Sequence, residues 1–402
     1  MCCRKESYIC LKINILIKAT YYKYILQFKT PSGTSRGILK TKETWFLYLS
    51  KEGKFGVGEC GLFRGLSIDD RPDYEDKLKW VCNNIELGLD ILLAKTIHFP
   101  SIQIGLEQAF LSLQSTSPFK LFVSNFTESN KAIDINGLIW MGDREFMNDQ
   151  IKEKIALGFR CLKMKIGAID FATEIQLLAS IRKEFSINDI ELRVDANGAF
   201  KPSEALEKLK ILSNYDLHSI EQPIHQGNYQ EMALLCEKTP LPIALDEELI
   251  GVFHVTKRTK MLQIIKPQYI ILKPSLVGGF KESLEWIELA KESGIGWWVT
   301  SALESNVGLN AIAQWTATLK SSMPQGLGTG GLFTNNFDSH LEVNKGGLYY
   351  NKNKETKMSF NGSLPLEVTY NWEKIIQTAL MSFILAIIAS LYPSYRATKL
   401  LP

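Results

Sequence analysis

The strongest constraint on this chain is a repeat in which a charged residue arrives at the end of successive apolar runs. Runs at 133–138, 162–166, 190–195, 217–221, 242–246, 269–273, 297–301 and 325–328 read as strands. Amphipathic helical patterns fill most of the intervals, at 146–157, 171–185, 202–213, 228–238, 280–293 and 306–319. Strand–helix alternation implies parallel βαβ units, and eight units is the number that closes a (β/α)8 barrel. An open doubly wound sheet is the rival, but the first strand–helix junction carries no G-x-G-x-x-G. Lys163-Met-Lys165 ends the second run, Asp195 the third, Glu221 the fourth, Asp246 the fifth and Lys273 the sixth. From Lys165 onward the spacings are 30, 26, 25 and 27 residues, about one βα unit each. These residues therefore share one end of their strands, and in a closed barrel that end is the catalytic face.

Asp195, Glu221 and Asp246 would converge from three neighbouring strands. Three carboxylates in one pocket repel unless a cation holds them. A set of oxygen donors without His or Cys favours a hard ion, and Mg²⁺ keeps positions open for substrate and water. Lys163 and Lys165 are two residues apart on a strand and share a face. Their mutual repulsion and a nearby cation would lower their pKa values, leaving at least one able to act as a neutral base. Lys273 arrives from the opposite side of the barrel mouth. Taken singly, each residue has a plainer reading: an isolated Asp is most often a capping or surface residue, and a Lys-x-Lys pair a solvated strand edge. The shared strand end in consecutive units sets those readings aside. Together the parts suggest a carboxylate substrate that chelates the metal, a Lys that removes the proton α to it, and cations that stabilise the enediolate.

The first 130 residues read as an α+β unit, with strands at 11–19, 22–28, 44–49 and 54–59 and helices at about 73–93 and 101–115. Trp45–Leu49 and Phe55–Glu59 form a hairpin around Lys51-Glu52-Gly53. β-like pieces at Leu348–Tyr350 and Leu364–Tyr370 are expected to return to this unit. The expected division is a capping part over 1–132, a barrel over 133–335, a return to the cap over 336–370 and an apolar tail over 371–402. Ile375–Tyr392 is 18 residues without charge, at the lower limit for a membrane span. A buried helix is the plain alternative, but a barrel enzyme should be complete before it, which favours disorder or loose packing on the surface. Residues 389–402 resemble the C-terminal end of bacterial transporter permeases of the lipoprotein-release type, which would make the tail foreign or membrane-associated. Hydrophobic residues make up 45% and charged residues 22% of 402, which rules out wholesale disorder. A net charge of +3 gives no argument for a nucleic-acid or membrane-surface partner. Seven cysteines without a C-x-x-C pair, and no clean signal peptide, suggest reduced thiols in a cytoplasmic protein.

Lys163-Met-Lys165, Asp195-Ala-Asn197, Glu221-Gln-Pro223, Ala244-Leu-Asp246-Glu247 and Leu272-Lys273-Pro274 together resemble the enolase superfamily, in its muconate-lactonising subgroup. The resemblance covers roughly residues 12–370. It implies an α+β capping domain, built from both ends of the chain, over a modified (β/α)8 barrel. Within the subgroup the chain is most similar to the dehydrating members, which convert 2-succinyl-6-hydroxy-2,4-cyclohexadiene-1-carboxylate to 2-succinylbenzoate for menaquinone synthesis. The likeness lies in Ser275-Leu-Val-Gly-Gly279, Ser301-Ala-Leu-Glu304-Ser305-Asn-Val-Gly308 and Gly326-Leu-Gly-Thr-Gly330. Pro31–Gly37 and Cys60–Ser67 look like the two cap loops that close over substrate.

Carried over by position, the resemblance assigns Mg²⁺ to Asp195, Glu221 and Asp246. Lys165 would be the base and would return its proton to the departing hydroxyl. Lys163 would polarise the bound carboxylate, and Lys273 would face the enediolate π-system as a cation. Arg193 would hold a substrate carboxylate, and Ser301 and the backbone near Gly278 and Gly279 would contact the succinyl group. Asn197 and Glu304 complete the expected substrate-binding set. Asp246-Glu247-Glu248 departs from the commonest motif, leaving Glu247 as a rival ligand to the preferred Asp246. The resemblance also admits N-acylamino acid racemases, dipeptide epimerases and cycloisomerases. The epimerases usually carry Asp-x-Asp near the eighth strand, whereas 326–331 holds no acid, and none follows before Asp338. Trp297–Ser301 lacks the His of the mandelate-racemase type. A non-catalytic barrel scaffold would need the lysines on the surface, and the tail alone suggests a membrane-tethered protein. The expected partner is a small-molecule carboxylate.

Overall fold

The computed structural model describes residues 16–34, 37–356 and 358, so the expectations at Leu364–Tyr370 and over the apolar tail lie outside the described residues. The chain begins with an antiparallel sheet of β1 (Lys18–Thr34), β2 (Gly37–Lys51) and β3 (Lys54–Cys60), in that order. The expected hairpin is β2–β3. Lys51 pairs with Lys54, and Glu52 and Gly53 have φ of 51° and 77°, the two positive values of a tight hairpin turn. The helix expected at 73–93 is broken into α1 (Tyr74–Asn83) and α2 (Leu89–Lys95). Gly88 lies between them with φ 80° and ψ 163°, a conformation that glycine tolerates best. Next comes α3 (Pro100–Gln114), buried almost throughout and packed with Trp45, Leu47, Leu49 and Leu78 in the cap core. The short α4 (Asn125–Ser129) leads to the barrel.

The barrel then runs β4 (Ile133–Asp134), β5 (Gly137–Ile139), α5 (Arg144–Ala156), β6 (Cys161–Lys165), α6 (Phe171–Glu184), β7 (Glu191–Asp195), α7 (Pro202–Leu212), β8 (Ser219–Glu221) and α8 (Tyr229–Lys238). It continues with β9 (Ile243–Leu245), α9 (Val255–Ile265), β10 (Tyr269–Leu272), α10 (Pro274–Val277), α11 (Gly279–Glu292), β11 (Gly296–Val299) and α12 (Asn306–Thr318). Strands β5 to β11 form one parallel sheet in chain order. The eighth expected strand is reduced to Gln325 and Gly326, which bridge in parallel to Ile135 on one side and Thr300 on the other. Those bridges close the ring, giving the capped, modified (β/α)8 barrel. Alternate strand residues Leu162, Met164, Leu192, Val194, Ile220, Ile243, Leu245, Ile270 and Leu272 join the core shared with the helices. The residues between them, Lys163, Lys165, Arg193, Asp195, Glu221 and Ala244, fall on the barrel interior. Register aligns Lys165 with Asp195, and Asp195 with Glu221.

Strands β12 (Leu341–Asn344) and β13 (Gly347–Tyr350) follow, and β13 pairs with β4, Leu348 opposite Ile133. The N-terminal sheet meets the preceding segment instead. Lys29 N–H donates to Leu332 O at 2.9 Å, and Thr334 N–H donates to Gln27 O at 2.8 Å.

Two cap carboxylates dock on barrel helices. Glu59, on β3, accepts from Ser305 N and Gly308 N at the start of α12, each at 2.9 Å. Glu107, on α3, accepts from Phe280 N and Lys281 N at the start of α11. Carboxyl oxygens there satisfy N–H groups that the helix starts leave free. Gly279 is required at this seam, because a Cβ would stand 2.1 Å from Glu107 Oε2 and its φ is 92°. Among the described residues, Cys60, Cys82, Cys161 and Cys236 are free thiols. No described helix is long and apolar enough to cross a membrane.

Asp69 ties the segment between β3 and α1 to the first turn of α3, accepting from Ser101 N at 2.9 Å and Ser101 Oγ at 2.6 Å. Burial pushes its carboxyl up to about 7. The folded state therefore favours the neutral acid, so this contribution to stability is full below the unfolded pKa of about 4 and is lost as pH rises through about 7. Asp69→Asn cannot ionise. Its melting temperature relative to the unsubstituted protein should rise by about 3 °C between pH 5 and pH 8, measured by calorimetry, whereas a constant difference would contradict a titrating Asp69.

Candidate active site

The site forms at the C-terminal ends of β6 to β10, where the interior face of the barrel turns from apolar to ionic. Lys163, Lys165 and Lys273 are 7%, 8% and 9% exposed, so they are not surface lysines. Asp195, Glu221 and Asp246 are buried beside them. The Lys165 ammonium donates to Asp195 Oδ2 at 2.6 Å and to Asn197 Oδ1 at 2.7 Å. The Lys163 ammonium bridges Asp195, at 2.9 Å, and Glu221. From the other side of the mouth, Lys273 pairs with Asp246. Glu247 Oε1 accepts from Asn197 Nδ2 at 3.0 Å, so Asn197 links the second acid of the motif to Lys165. Glu248 turns away to Gln222 and Gly227 N.

Burial acts against every charge here, and the neighbours decide the outcome. Burial would lower Lys163, but the carboxylates of Asp195, Glu221 and Asp246 raise it above the ordinary lysine range. Lys273 is likewise raised, burial being outweighed by Asp246, Glu221 and Glu247. Lys165 goes the other way: burial, assisted by the Lys163 and Lys273 ammonium groups, lowers it despite Asp195. Burial would raise Asp195, yet Lys163, Lys165 and Lys273 hold it well below the usual carboxylate range. Glu221 is raised well above that range by burial and by Asp195 and Asp246. Its Oε1 is buried without a hydrogen-bond partner. A carboxylate in that condition is short of positive charge, and the donor set of Asp195, Glu221 and Asp246 fits a hard divalent cation. With the Lys163 ammonium bridging two of them, no three His, Cys, Asp or Glu side chains among the described residues stand close enough to hold an ion.

A cavity of about 490 Å³ opens over the lysines. Lys163, Lys165 and Lys273 lie at its base, with Thr300, Ser301, Gly326, Gly328 and Thr329 from the last two barrel staves. The cap contributes Lys29, Thr30, Pro31, Ser32, Leu39, Phe63 and Leu66. The two segments expected to close over substrate, around Pro31 and Cys60–Ser67, thus both supply cavity wall.

Comparison with known proteins agrees with this geometry. Residues 147–351 match the family described as enolase C-terminal domain-like. The chain is 48% identical to the o-succinylbenzoate synthase of Desulfotalea psychrophila over 361 residues, which cover 82% of this chain and 98% of that protein. The chain belongs to the o-succinylbenzoate synthase family of the enolase superfamily. The crystal structure of MenC from the same organism superposes with a TM-score of 0.74 at 45% identity, covering 83% of this chain and 99% of that one. The L-Ala-D/L-Glu epimerase of Bacillus subtilis shares the fold, with a TM-score of 0.73 at 19% identity over 85% of this chain and 97% of that one. As a member of the o-succinylbenzoate synthase family, the chain is an enzyme of the lyase class.

The expected substrate contacts divide. Ser301 lines the cavity; its Oγ donates to Glu304 Oε2 at 2.6 Å and accepts from Thr329 Oγ1 at 2.9 Å. Glu304 sits behind that wall, fully buried, and also accepts from Ser275 Oγ and Ala302 N. Gly278 and Gly279 are not cavity residues; they make the seam between α3 and α11. Arg193 is not one either. It lies on the barrel floor, with Nε on Glu191 at 2.6 Å, Nη1 on Pro324 O at 3.0 Å and its guanidinium 4.3 Å from the Trp298 ring centroid. Two-residue periodicity placed it on the correct face but could not give its depth, and a guanidinium over an indole is stable without a ligand. Lys29 also lines the cavity, which no motif signals, since it is one cation on a cap strand.

The buried pairs make a stability prediction. Breaking one partner out of such a cluster leaves an uncompensated charge and costs about 3 kcal/mol. Lys163→Met should destabilise the protein by that order in urea unfolding with chelator present. An unchanged unfolding midpoint would contradict the ion pairs described here.

Proposed function

We propose that this chain dehydrates 2-succinyl-6-hydroxy-2,4-cyclohexadiene-1-carboxylate to 2-succinylbenzoate, as a cytoplasmic, Mg²⁺-dependent enzyme of menaquinone synthesis. The observation that carries the reading is the pair of buried lysines on β6 and at the end of β10, facing each other across buried carboxylates, in a member of this family. Lys165 is the base in this reading, on β6 beside Asp195 and with burial and its neighbouring ammonium groups favouring the neutral amine. Its neutral amine takes the proton from the carbon bearing the ring carboxylate. The electron pair left behind is delocalised into that carboxylate, opposite the ammonium groups of Lys163 and Lys273, which the site keeps charged. The Lys165 ammonium then returns its proton to the hydroxyl as the carbon–oxygen bond breaks. Water departs, the ring becomes aromatic, and Lys165 is again neutral. Asp195, Glu221 and Asp246 would hold Mg²⁺, which would supply a Lewis acid that makes the proton α to the carboxylate easier to remove.

Burial of all three lysines weighs against a non-catalytic scaffold. An epimerase acting on a dipeptide needs an acid for the substrate amine. The wall from the eighth stave is Gly326, Gly328, Thr329, Gly331 and Leu332, with none. Turnover should be followed as Mg²⁺-dependent appearance of the aromatic product. Lys165→Ala and Lys273→Ala should each lose about 10³-fold in kcat, and chelation should abolish activity that added Mg²⁺ restores. Unchanged turnover in both variants would remove the mechanism.

A further inference from the structure

Resting on that reading, we propose that Lys29 is the specificity-determining cation of the cavity and receives the distal, succinyl carboxylate of the substrate. Strand β1 is broken near its end. The strand pairs regularly with β2 up to Gln27 and resumes at Ser32, so Phe28 to Pro31 are released from the ladder. Such irregularities bend a strand and re-aim its side chains. Phe28 packs into the core against Phe333, ring centroids 4.7 Å apart, while Lys29, Thr30, Pro31 and Ser32 become cavity wall. The break is pinned to the barrel by the hydrogen bonds from Lys29 N–H to Leu332 O and from Thr334 N–H to Gln27 O. Lys29 is thus presented by backbone that two independent contacts hold in place.

Charge bookkeeping points the same way. Apart from the three lysines at the base, the cavity has two cations among its described lining residues, Lys29 and Lys154. Lys154 is neutralised by Glu153 at 3.0 Å, whereas Lys29 has no ion pair or side-chain hydrogen bond among the described residues. Between base and rim the wall is largely apolar, with Leu39, Phe63, Leu66, Trp140, Leu303 and Leu332. A substrate whose ring carboxylate occupies the base carries a second carboxylate on its four-carbon arm. Lodged in that apolar stretch without a counter-charge, it would lose its hydration with nothing in return. Ser301 does not serve instead, because its hydroxyl proton is committed to Glu304.

The test uses the Mg²⁺-loaded full chain and equilibrium binding, so it is independent of turnover. Calorimetric titration with 2-succinylbenzoate and with its distal methyl ester is compared between the unsubstituted protein, Lys29→Met and Lys29→Arg. Lys29→Met should weaken 2-succinylbenzoate about 10–100-fold, the range for a lost charge-assisted hydrogen bond. It should leave the ester within about twofold, and Lys29→Arg should retain most of the affinity. In turnover, Lys29→Met should raise KM with kcat nearly unchanged. Equal affinity of Lys29→Met and the unsubstituted protein for the diacid would overturn the proposal, as would an equal loss for diacid and ester. A protein that binds the diacid through Lys29 but fails to dehydrate the diene would sink the proposed reaction and leave this assignment standing.

Discussion

Everything in this molecule depends on three carboxylates and three ammonium groups sharing the mouth of one barrel. Each of those charges, taken alone, would cost several kcal/mol to bury. Arranged as they are, Asp195 serves Lys163 and Lys165 together, Asp246 serves Lys273, and Lys163 spans to Glu221. The parallel register makes the arrangement possible. Lys165 faces Asp195, and Asp195 faces Glu221, across neighbouring strands. The pairing is deliberately incomplete in a chemical sense. Glu221 keeps a buried oxygen without a partner, and Lys165 is the amine whose proton is held least firmly. A cluster in full internal balance would be stable and inert; the imbalance here is what the proposed cation and the proposed base would use.

The cap completes the cavity, and its attachment follows the same electrostatic logic. Glu59 and Glu107 reach from the cap to the N-termini of α12 and α11, where unsatisfied N–H groups point outward. These contacts place β1 and the segment around Phe63 over the lysines. The proposed chemistry at the base and the proposed selection at the rim therefore sit on different elements, joined by that seam.

Much of this was legible in the sequence. The barrel could be read because each stave repeats apolar strand, charged terminus and amphipathic helix, and Glu52-Gly53 could be read as a turn because it demands two positive φ values. Helix α9 was not legible. Its buried Arg258 pairs with Glu282 and Glu285 and lies 5.1 Å from the Trp286 ring centroid, so a core position carries a charged letter and breaks the apolar stripe. The eighth stave shrank to two bridging residues for a related reason, since Gly326 and Gly328 bring backbone but no strand-forming side chain. Arg193 and the Gly278-Gly279 pair show the other limit. Sequence gives the face a residue occupies, whereas its depth in the barrel, or its service in a seam, depends on partners far away in the chain.

In the proposed mechanism, oxygens from three adjacent staves take one divalent ion between flanking amines. Anomalous diffraction from crystals soaked in Mn²⁺ tests it most directly. A single strong peak coordinated by Asp195, Glu221 and Asp246, with the Lys163 ammonium moved off Glu221, is the predicted result. No peak at the barrel mouth, or a peak held by other side chains, would contradict the account.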